Sequence, residues 1–252
     1  MSGNGSGVKY ILSFGGGVNT VALMMILLRS GDPLDEVVFA DTGGEVPETY
    51  NYGEIARGYL ARHGVPFRTV SNINGRDLYG TCWNRRVVPS VMWRWSTRDF
   101  KVRPIHRYYR SLGVHIEQYI GIAYDEIERM KDSPVPYVTN LYPLVDLKVT
   151  RAGCVEVIEK EGLPVPVKSG CFFCPFNSAG RWRWLYETHP DLYERAEALE
   201  ENSKHFPSQR LTDQVFRKRA AVTLRELRKL LKANKPVPEG ETQSACGGEC
   251  MT

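Results

Sequence analysis

The sequence lacks any apolar run long enough to cross a membrane. Its apolar stretches, such as residues 21–28, are far shorter than the roughly 20 residues that a spanning helix needs. The first seven residues have neither the basic start nor the apolar segment of a secretory signal peptide, and they predict a flexible N-terminus. We therefore expect a cytoplasmic protein with no membrane association.

A strong net charge is also absent. Lys and Arg total 33 against 29 Asp and Glu, and the resulting +4 does not by itself predict a polyanionic partner. The distribution is uneven, however. Between Arg85 and Arg110 eight basic residues stand against one acid, Asp99, and a second basic cluster runs from Arg217 to Lys235. Each cluster is either a solvated surface or a phosphate-binding surface.

Cysteine is scarce, with six in 252 residues. A chain of this length buries an ordinary core without disulfides. In a reducing compartment a Cys-x-x-Cys pair is more often a metal or redox site than a structural crosslink. The cysteines are therefore candidates for chemistry.

The pattern of apolar residues alternates between strand and helix. Short β-prone runs occupy residues 8–13, 36–40, 66–70 and 117–123. Helical spacing occupies residues 18–29, 48–63, 104–112 and 149–161. This alternation predicts an α/β fold with a doubly wound, mostly parallel sheet, whose ligands bind at the carboxyl ends of the strands. We predict a flexible segment 1–7, a nucleotide-binding domain 8–166, a Cys-x-x-Cys segment and helical region 167–236, and a cysteine-containing tail 237–252.

Three consecutive glycines follow the first predicted strand and precede the first predicted helix. Such a loop turns backbone N–H groups toward one point, and the helix dipole adds positive potential there. Neither Gly-Lys-Ser/Thr nor Gly-x-Gly-x-x-Gly is present, so the two common phosphate fingerprints are excluded. The loop is either a tight turn or an anion site.

The loop Ser13-Phe-Gly-Gly-Gly-Val-Asn-Thr20 resembles the PP-loop of the adenine nucleotide α-hydrolases. Further segments, in order, resemble the phosphoadenosine phosphosulfate reductase-like family within that superfamily: Asp41-Thr-Gly-Gly-Glu-Val-Pro-Glu-Thr-Tyr50, Ser96-Thr-Arg-Asp-Phe-Lys-Val-Arg-Pro-Ile105, Gly121-Ile-Ala-Tyr-Asp-Glu-Ile-Glu-Arg129 and Tyr142-Pro-Leu-Val-Asp146. The resemblance covers about residues 8–176. It implies a PP-loop type of Rossmann-like fold.

The resemblance also implies chemistry at an adenine nucleotide. The family either cleaves ATP between its α and β phosphates to adenylate an acceptor, or reduces an adenylyl sulfate. In the first case Asp41 would help to place Mg²⁺, and Lys101 and Arg103 would neutralise the leaving group. Asp41 could equally be a strand-end cap, and the basic residues a solvated face. The residues implied at the nucleotide are Ser13, Phe14, Gly15, Gly16, Gly17, Asn19, Thr20, Asp41, Thr42, Gly43 and Gly121.

The second chemistry requires a mobile C-terminal cysteine. Reductases of this family carry Glu-Cys-Gly-x-His, whereas this chain ends Glu249-Cys250-Met251-Thr252. The departure disfavours sulfonucleotide reduction, although Cys250 remains a candidate nucleophile or resolving thiol. A third interpretation is a nucleotide-binding protein without catalysis.

Cys171 and Cys174 have the spacing at which two thiolates share a metal, and Cys246 and Cys250 would complete a four-sulfur site. Soft sulfur ligands favour both zinc and iron–sulfur clusters, and the resemblance favours a 4Fe-4S cluster with zinc as the alternative. Buried or redox-active thiols are the other interpretation. The family's CTxxxK cysteine is replaced here by Ser96, and Cys82 and Cys154 are expected to be ordinary buried residues.

Nucleic acid is a candidate acceptor. Trp93, Trp95, Trp182 and Trp184 alternate with arginines and would either stack bases or pack core edges. The helical segment 217–232 has leucines on one face and bases on the other, a pattern more typical of a packed helix with a solvated basic face. By the resemblance the acceptor would be tRNA or DNA, with a cysteine desulfurase as the sulfur donor.

Overall fold

The computed structural model of the chain describes residues 7–72, 74–90, 94–206, 209–212 and 222–235. The strands are β1 Val8–Phe14, β2 Glu36–Asp41, β3 Phe67–Ser71, β4 His115–Tyr119 and β5 Val138–Leu141. The helices are α1 Val18–Ser30, α2 Pro47–Ala61, α3 Leu78–Arg85, α4 Trp95–Thr97, α5 Arg103–Leu112, α6 Pro143–Asp146, α7 Arg151–Lys160, α8 Ala179–Thr188, α9 Pro190–Asn202 and α10 Leu224–Lys232.

The five strands form one sheet in the order β3-β2-β1-β4-β5, and every described pair is parallel. This arrangement confirms the predicted α/β fold. The strand order reverses between β1 and β4, so the loops that leave these two strands diverge and open a crevice at their carboxyl ends. The glycine loop 15–17 leaves β1 at this point, and Gly121 follows β4.

Helices cover both faces of the sheet, because successive side chains of each strand point to opposite faces. Leu12 packs in a cluster with α1, α2 and α7, whereas its neighbour Ile11 packs in a second cluster with Ile105 and Tyr109 of α5. Burial on both faces explains why β1 and β2 are almost continuously apolar.

A third hydrophobic cluster lies in the helical C-terminal region. Trp182 of α8 is fully buried there beside Tyr193 of α9 and the leucines of α10. Phe173 of the Cys-x-x-Cys segment and Leu78 of α3 belong to the same cluster. The helical region is thus packed against residues from the sheet-forming part of the chain.

The structure differs from the sequence expectations at four places. Residues 71–98, for which no helix or strand was predicted, contain α3, which Asp77 caps by accepting a hydrogen bond from the Gly80 N–H. The expected strand 117–123 lies at His115–Tyr119, and β5 was not expected. A π-helical turn, Arg98–Val102, joins α4 to α5. No helix among the described residues is long and apolar enough to span a membrane.

Candidate functional site

Glycines form the whole connection between β1 and α1. Gly16 has φ +70°, a conformation that residues with a Cβ rarely adopt, and Gly17 is the N-cap of α1. No side chain in the described part of the chain caps this helix end. The first-turn N–H groups of α1 are therefore left for a ligand, and an anion suits them.

The polar side chains of Asn19 and Thr20, in the first turn of α1, are engaged by hydrogen bonds within the protein. Asn19 is buried, and its Nδ2 donates to Glu126 Oε2 at 2.8 Å while its Oδ1 accepts from Arg151 at 3.4 Å. Thr20 Oγ1 donates to the Gly17 carbonyl at 3.0 Å. Glu126 also forms an ion pair with Arg129 at 2.7 Å. The segment after β4 that resembles GxxxxExxR therefore braces the glycine loop.

Gly121 lies against the first turn of α1. A Cβ at this position would be 2.7 Å from Thr20 Cγ2 and 2.9 Å from the Thr20 Cα and N. Real Cβ atoms do not approach backbone atoms so closely, so only glycine fits. The β1 and β4 loops thus meet at the crevice without an intervening side chain.

Asp41 ends β2 on the same edge of the sheet. Its Oδ1 accepts hydrogen bonds from the Gly43 N–H and the Tyr50 hydroxyl, both at 2.8 Å. Burial, together with the hydrogen bond and negative charge of Asp41, raises the pKa of Tyr50 well above its usual value. Tyr50 therefore stays protonated and fixes the carboxylate, which leaves Asp41 both a loop anchor and a metal-ligand candidate.

A buried polar cluster that the sequence did not single out lies beside this edge. Glu45 Oε1 is 3.1 Å from Lys101 Nζ, accepts from Thr42 Oγ1 at 3.1 Å and lies 3.7 Å from Cys171 Sγ. Only 1% of the Glu45 side chain is exposed, and among the described residues its Oε2 has no hydrogen-bond partner. Glu45 therefore links the segment after β2 with both the π-helical turn and the Cys-x-x-Cys segment.

Lys101 and Arg103 have different positions. Lys101 lies on the π-helical turn, 11% exposed and paired with Glu45. Arg103 is 62% exposed and pairs with Asp99 at 2.9 Å. Residues two apart on a helix point to different sides, so the structure brings only Lys101 to the interior of the site.

The Cys-x-x-Cys segment lies directly beside the glycine loop. Ser169 Oγ is 3.1 Å from the position that a Cβ would occupy on Gly17, and Cys171 pairs with Glu45 in an isolated antiparallel bridge. One cavity is lined by both thiols together with Lys101; its lining also includes Thr42, Arg94 and Ser96. Ser96, at the position where the family often has cysteine, therefore faces the same space as the thiols.

The other cysteines fall into two groups. Cys82 and Cys154 are fully buried, and burial raises the pKa of each thiol to about 12, which supports their interpretation as packing residues. Cys246 and Cys250 lie outside the described residues. Within the described residues no group of three or more Cys, His, Asp or Glu could hold a metal, so Cys171 and Cys174 alone do not form a complete site.

Arg181 of α8 approaches Cys174 from the helical region. Arg181 of α8 stacks on Trp184 at 3.6 Å. Burial lowers the pKa of Arg181 to about 10, against the opposing effects of Glu48 and Cys174. Glu48 Oε1 is 2.7 Å from His189 Nε2. A half-buried cation therefore lies near Cys174.

The two arginines of α10 are paired with carboxylates, and three of its leucines are buried. Leu224, Leu227 and Leu231 are buried. Arg225 and Arg228 pair with the carboxylates of α9, namely Glu194, Glu197 and Glu201. The described part of this segment is a packed helix, as its leucine spacing predicted. Residues 217–221, and Trp93, lie outside the described residues.

Comparisons with known proteins give structural likenesses only. No protein-family model matches the sequence, and no curated protein matches it. The chain is similar to a phosphoadenylyl-sulfate reductase from Candida auris in a phosphate complex, with 15% identity, 63% of this chain and 74% of that chain covered, and a TM-score of 0.46. It is also similar to the U34-tRNA thiolase NcsA from Methanococcus maripaludis with its 4Fe-4S cluster, with 12% identity, 94% and 84% covered, and a TM-score of 0.40. Neither likeness assigns an activity or a substrate to this chain.

Proposed function

We propose that the chain is a PP-loop enzyme that cleaves ATP between the α and β phosphates and adenylates a nucleic acid for sulfur incorporation. One observation carries this proposal: the Cys-x-x-Cys segment lies against the glycine loop, with Ser169 near Gly17. Cys171 of this segment forms a β-bridge and a side-chain hydrogen bond with Glu45. A phosphate-binding loop and two thiols at one edge of a sheet suit a reaction that joins nucleotide and sulfur chemistry.

The glycine loop and the uncapped N-terminus of α1 would bind the pyrophosphate part of ATP. An acceptor oxygen would attack the α phosphorus, and pyrophosphate would leave with the bonding electron pair. Asp41 would help to position Mg²⁺, since one of its oxygens is already fixed by Gly43 and Tyr50. Lys101 is the cation of the site interior, and we propose it rather than the exposed Arg103 for charge neutralisation.

Cys171 and Cys174 would bind a 4Fe-4S cluster, or zinc, together with Cys246 and Cys250 of the tail. Two of the four sulfurs face one cavity in the described structure, which fits this role as far as those residues extend. A bound metal would keep both thiols deprotonated and fixed in position. The proposed partners are tRNA or DNA as acceptor and a cysteine desulfurase as sulfur donor.

The test is anaerobic incubation of the protein with α-labelled ATP and Mg²⁺, with and without bulk tRNA or DNA, followed by detection of AMP and pyrophosphate. We expect both products, and we expect Asp41→Asn to lose them while still folding. Asp132→Asn is a matched control, since Asp132 is exposed and lies in the loop between β4 and β5. Its activity should equal that of the wild type.

The absence of both pyrophosphate and AMP under every acceptor condition would contradict adenylation. If the same protein then bound an adenylyl sulfate and released sulfite in the presence of a dithiol, a sulfonucleotide reductase would become the better interpretation than an adenylating enzyme, with Cys250 as the candidate nucleophile. Nucleotide binding without either product would leave a non-catalytic nucleotide-binding protein.

A further inference from the structure

The outer face of α5 carries an arginine stripe, which we define as Arg103, Arg107 and Arg110. All three side chains are exposed, and their spacing of four and three residues places them on one side of the helix. The opposite side is buried against the sheet through Ile105 and Tyr109. The helix contains no acidic residue, so the stripe is not neutralised from within α5.

Some of the other exposed arginines of the protein are paired with carboxylates. Arg29 and Arg57 pair with Glu161 and Glu54, and the arginines of α10 pair with α9. Within the described residues, by contrast, neither Arg107 nor Arg110 forms an ion pair. Only Arg103 has a carboxylate partner, Asp99. Two guanidinium groups without an ion pair among the described residues are therefore presented to solvent on one side of α5.

The stripe begins next to the proposed active site and ends at a second cavity. Lys101, which lines the cavity with the two thiols, lies two residues before Arg103. At the other end of α5, Arg110 lines an open cavity together with Tyr137 and His115, and its guanidinium carbon is 5.9 Å from the centre of the Tyr137 ring. No carboxylate is among the described residues that line this second cavity.

The dimensions fit a nucleic-acid strand. Seven residues of helix extend about 10 Å, which corresponds to about three phosphates of one strand. Guanidinium groups bind phosphate oxygens well, and a tyrosine ring beside an arginine offers a surface on which a base can stack.

From these observations we infer that the arginine stripe binds the phosphate backbone of the acceptor nucleic acid and leads it across α5 toward the cavity that holds Cys171 and Cys174. This inference rests on the proposed function, because it takes the acceptor to be a nucleic acid. It adds the surface that binds this acceptor. RNA and DNA share the phosphate chemistry, and the choice between them is left to the experiment.

The experiment measures the affinity of the full chain for fluorescein-labelled tRNA, duplex DNA and single-stranded DNA by anisotropy over a series of salt concentrations. In Arg107→Gln/Arg110→Gln we expect binding about ten-fold weaker, and a slope of log affinity against log salt smaller by about 1.8 on duplex or about 1.4 on single strands. Arg107→Lys/Arg110→Lys should restore most of the slope, because it restores the charge.

Arg29→Gln/Arg57→Gln is the matched control, since it removes the same charge from the opposite face of the sheet. If both glutamine variants bind equally, or if the α5 variant keeps the wild-type salt slope, the stripe is not the binding surface, while adenylation of a nucleic acid survives. If the wild-type protein cleaves ATP but binds none of the three probes, the nucleic-acid acceptor is wrong and the stripe inference falls with it. Unchanged thermal unfolding and ATP affinity show that each variant is folded.

Discussion

Replacing Gly121 with alanine tests whether the crevice between β1 and β4 is the nucleotide site. The added Cβ would lie 2.9 Å from the Thr20 Cα and N, whereas carbon atoms are in favourable contact at about 3.5 Å or more. The backbone at Thr20 cannot rotate aside, so either the β4 loop or the first turn of α1 must move by at least about 0.6 Å. Overpacking of this kind costs about 1–3 kcal/mol of unfolding free energy.

The displacement also affects binding, because the first turn of α1 carries the N–H groups that would hold the phosphates. Shifts of this size at a positioned site reduce activity by roughly ten- to a hundred-fold. We therefore expect Gly121→Ala to lower both the urea midpoint and the affinity for ATP, the latter measured by calorimetry. Thr20→Ser in the same chain removes the contact with Cγ2 and leaves the backbone contact, so it should restore little.

The matched control is Gly58→Ala in the last turn of α2, where an added Cβ meets nothing within 4 Å. This change should stabilise the protein by up to about 1 kcal/mol and leave ATP affinity unaltered. Reduced stability of Gly121→Ala with wild-type ATP affinity would refute the assignment of the glycine loop to the phosphates. Wild-type stability would refute the close approach itself.

Three other variants or probes test the remaining chemistry. Glu45→Gln should destabilise the protein by about 3–5 kcal/mol in urea unfolding, since it removes the carboxylate beside the buried charge of Lys101. The double variant Glu45→Gln/Lys101→Met should recover stability. If it does not, the pairing of Glu45 with Lys101 is contradicted. In native protein treated with chelator and reductant, iodoacetamide should label Cys174 and spare Cys82, whose pKa is raised to about 12 by burial; labelling of both at equal rates would contradict that burial. Burial lowers the pKa of His106 below 6.5, so the unfolded chain binds more protons than the folded protein near that pH, and the free energy of unfolding rises as the pH increases toward 6.5. His106→Gln should reduce this dependence of stability on pH. An equal dependence in both proteins would show that His106 does not cause it.

The sheet and the glycine connection between β1 and α1 could be predicted from the sequence because their causes are local. Apolar runs of strand length alternate with helical spacing, and three consecutive glycines permit the tight backbone turn between the first strand and the first helix. The π-helical turn was not predictable in this way. It adds a residue to one turn of the helix. Lys101 lies on this turn and is buried beside Glu45, whereas Arg103, two residues later, is exposed.

Glu45 could not be assigned from the sequence because its role depends on distant partners. Cys171 is 126 positions away, and no local pattern reports that the two residues form a bridge. The helix α3 was missed for a different reason, since Gly80 and the surrounding aromatic residues give weak helical propensity, and Asp77 as a cap was the one local indication.

The position of Gly44 shows how the two hydrophobic clusters are joined at the site. An added Cβ there would be 2.8 Å from Phe173 Cε1, so the backbone after β2 lies directly against the ring of Phe173, a residue between Cys171 and Cys174 in the sequence. Phe173 is fully buried in the helical cluster, whereas the glycine loop belongs to the sheet. The backbone contact at Gly44 and the polar contact at Glu45 therefore hold the segment after β2 against the Cys-x-x-Cys segment. Because Lys101 is bound to Glu45, it can neutralise a phosphate only by sharing or leaving this carboxylate, so the same ion pair that joins the clusters also sets how readily charge is offered to the nucleotide.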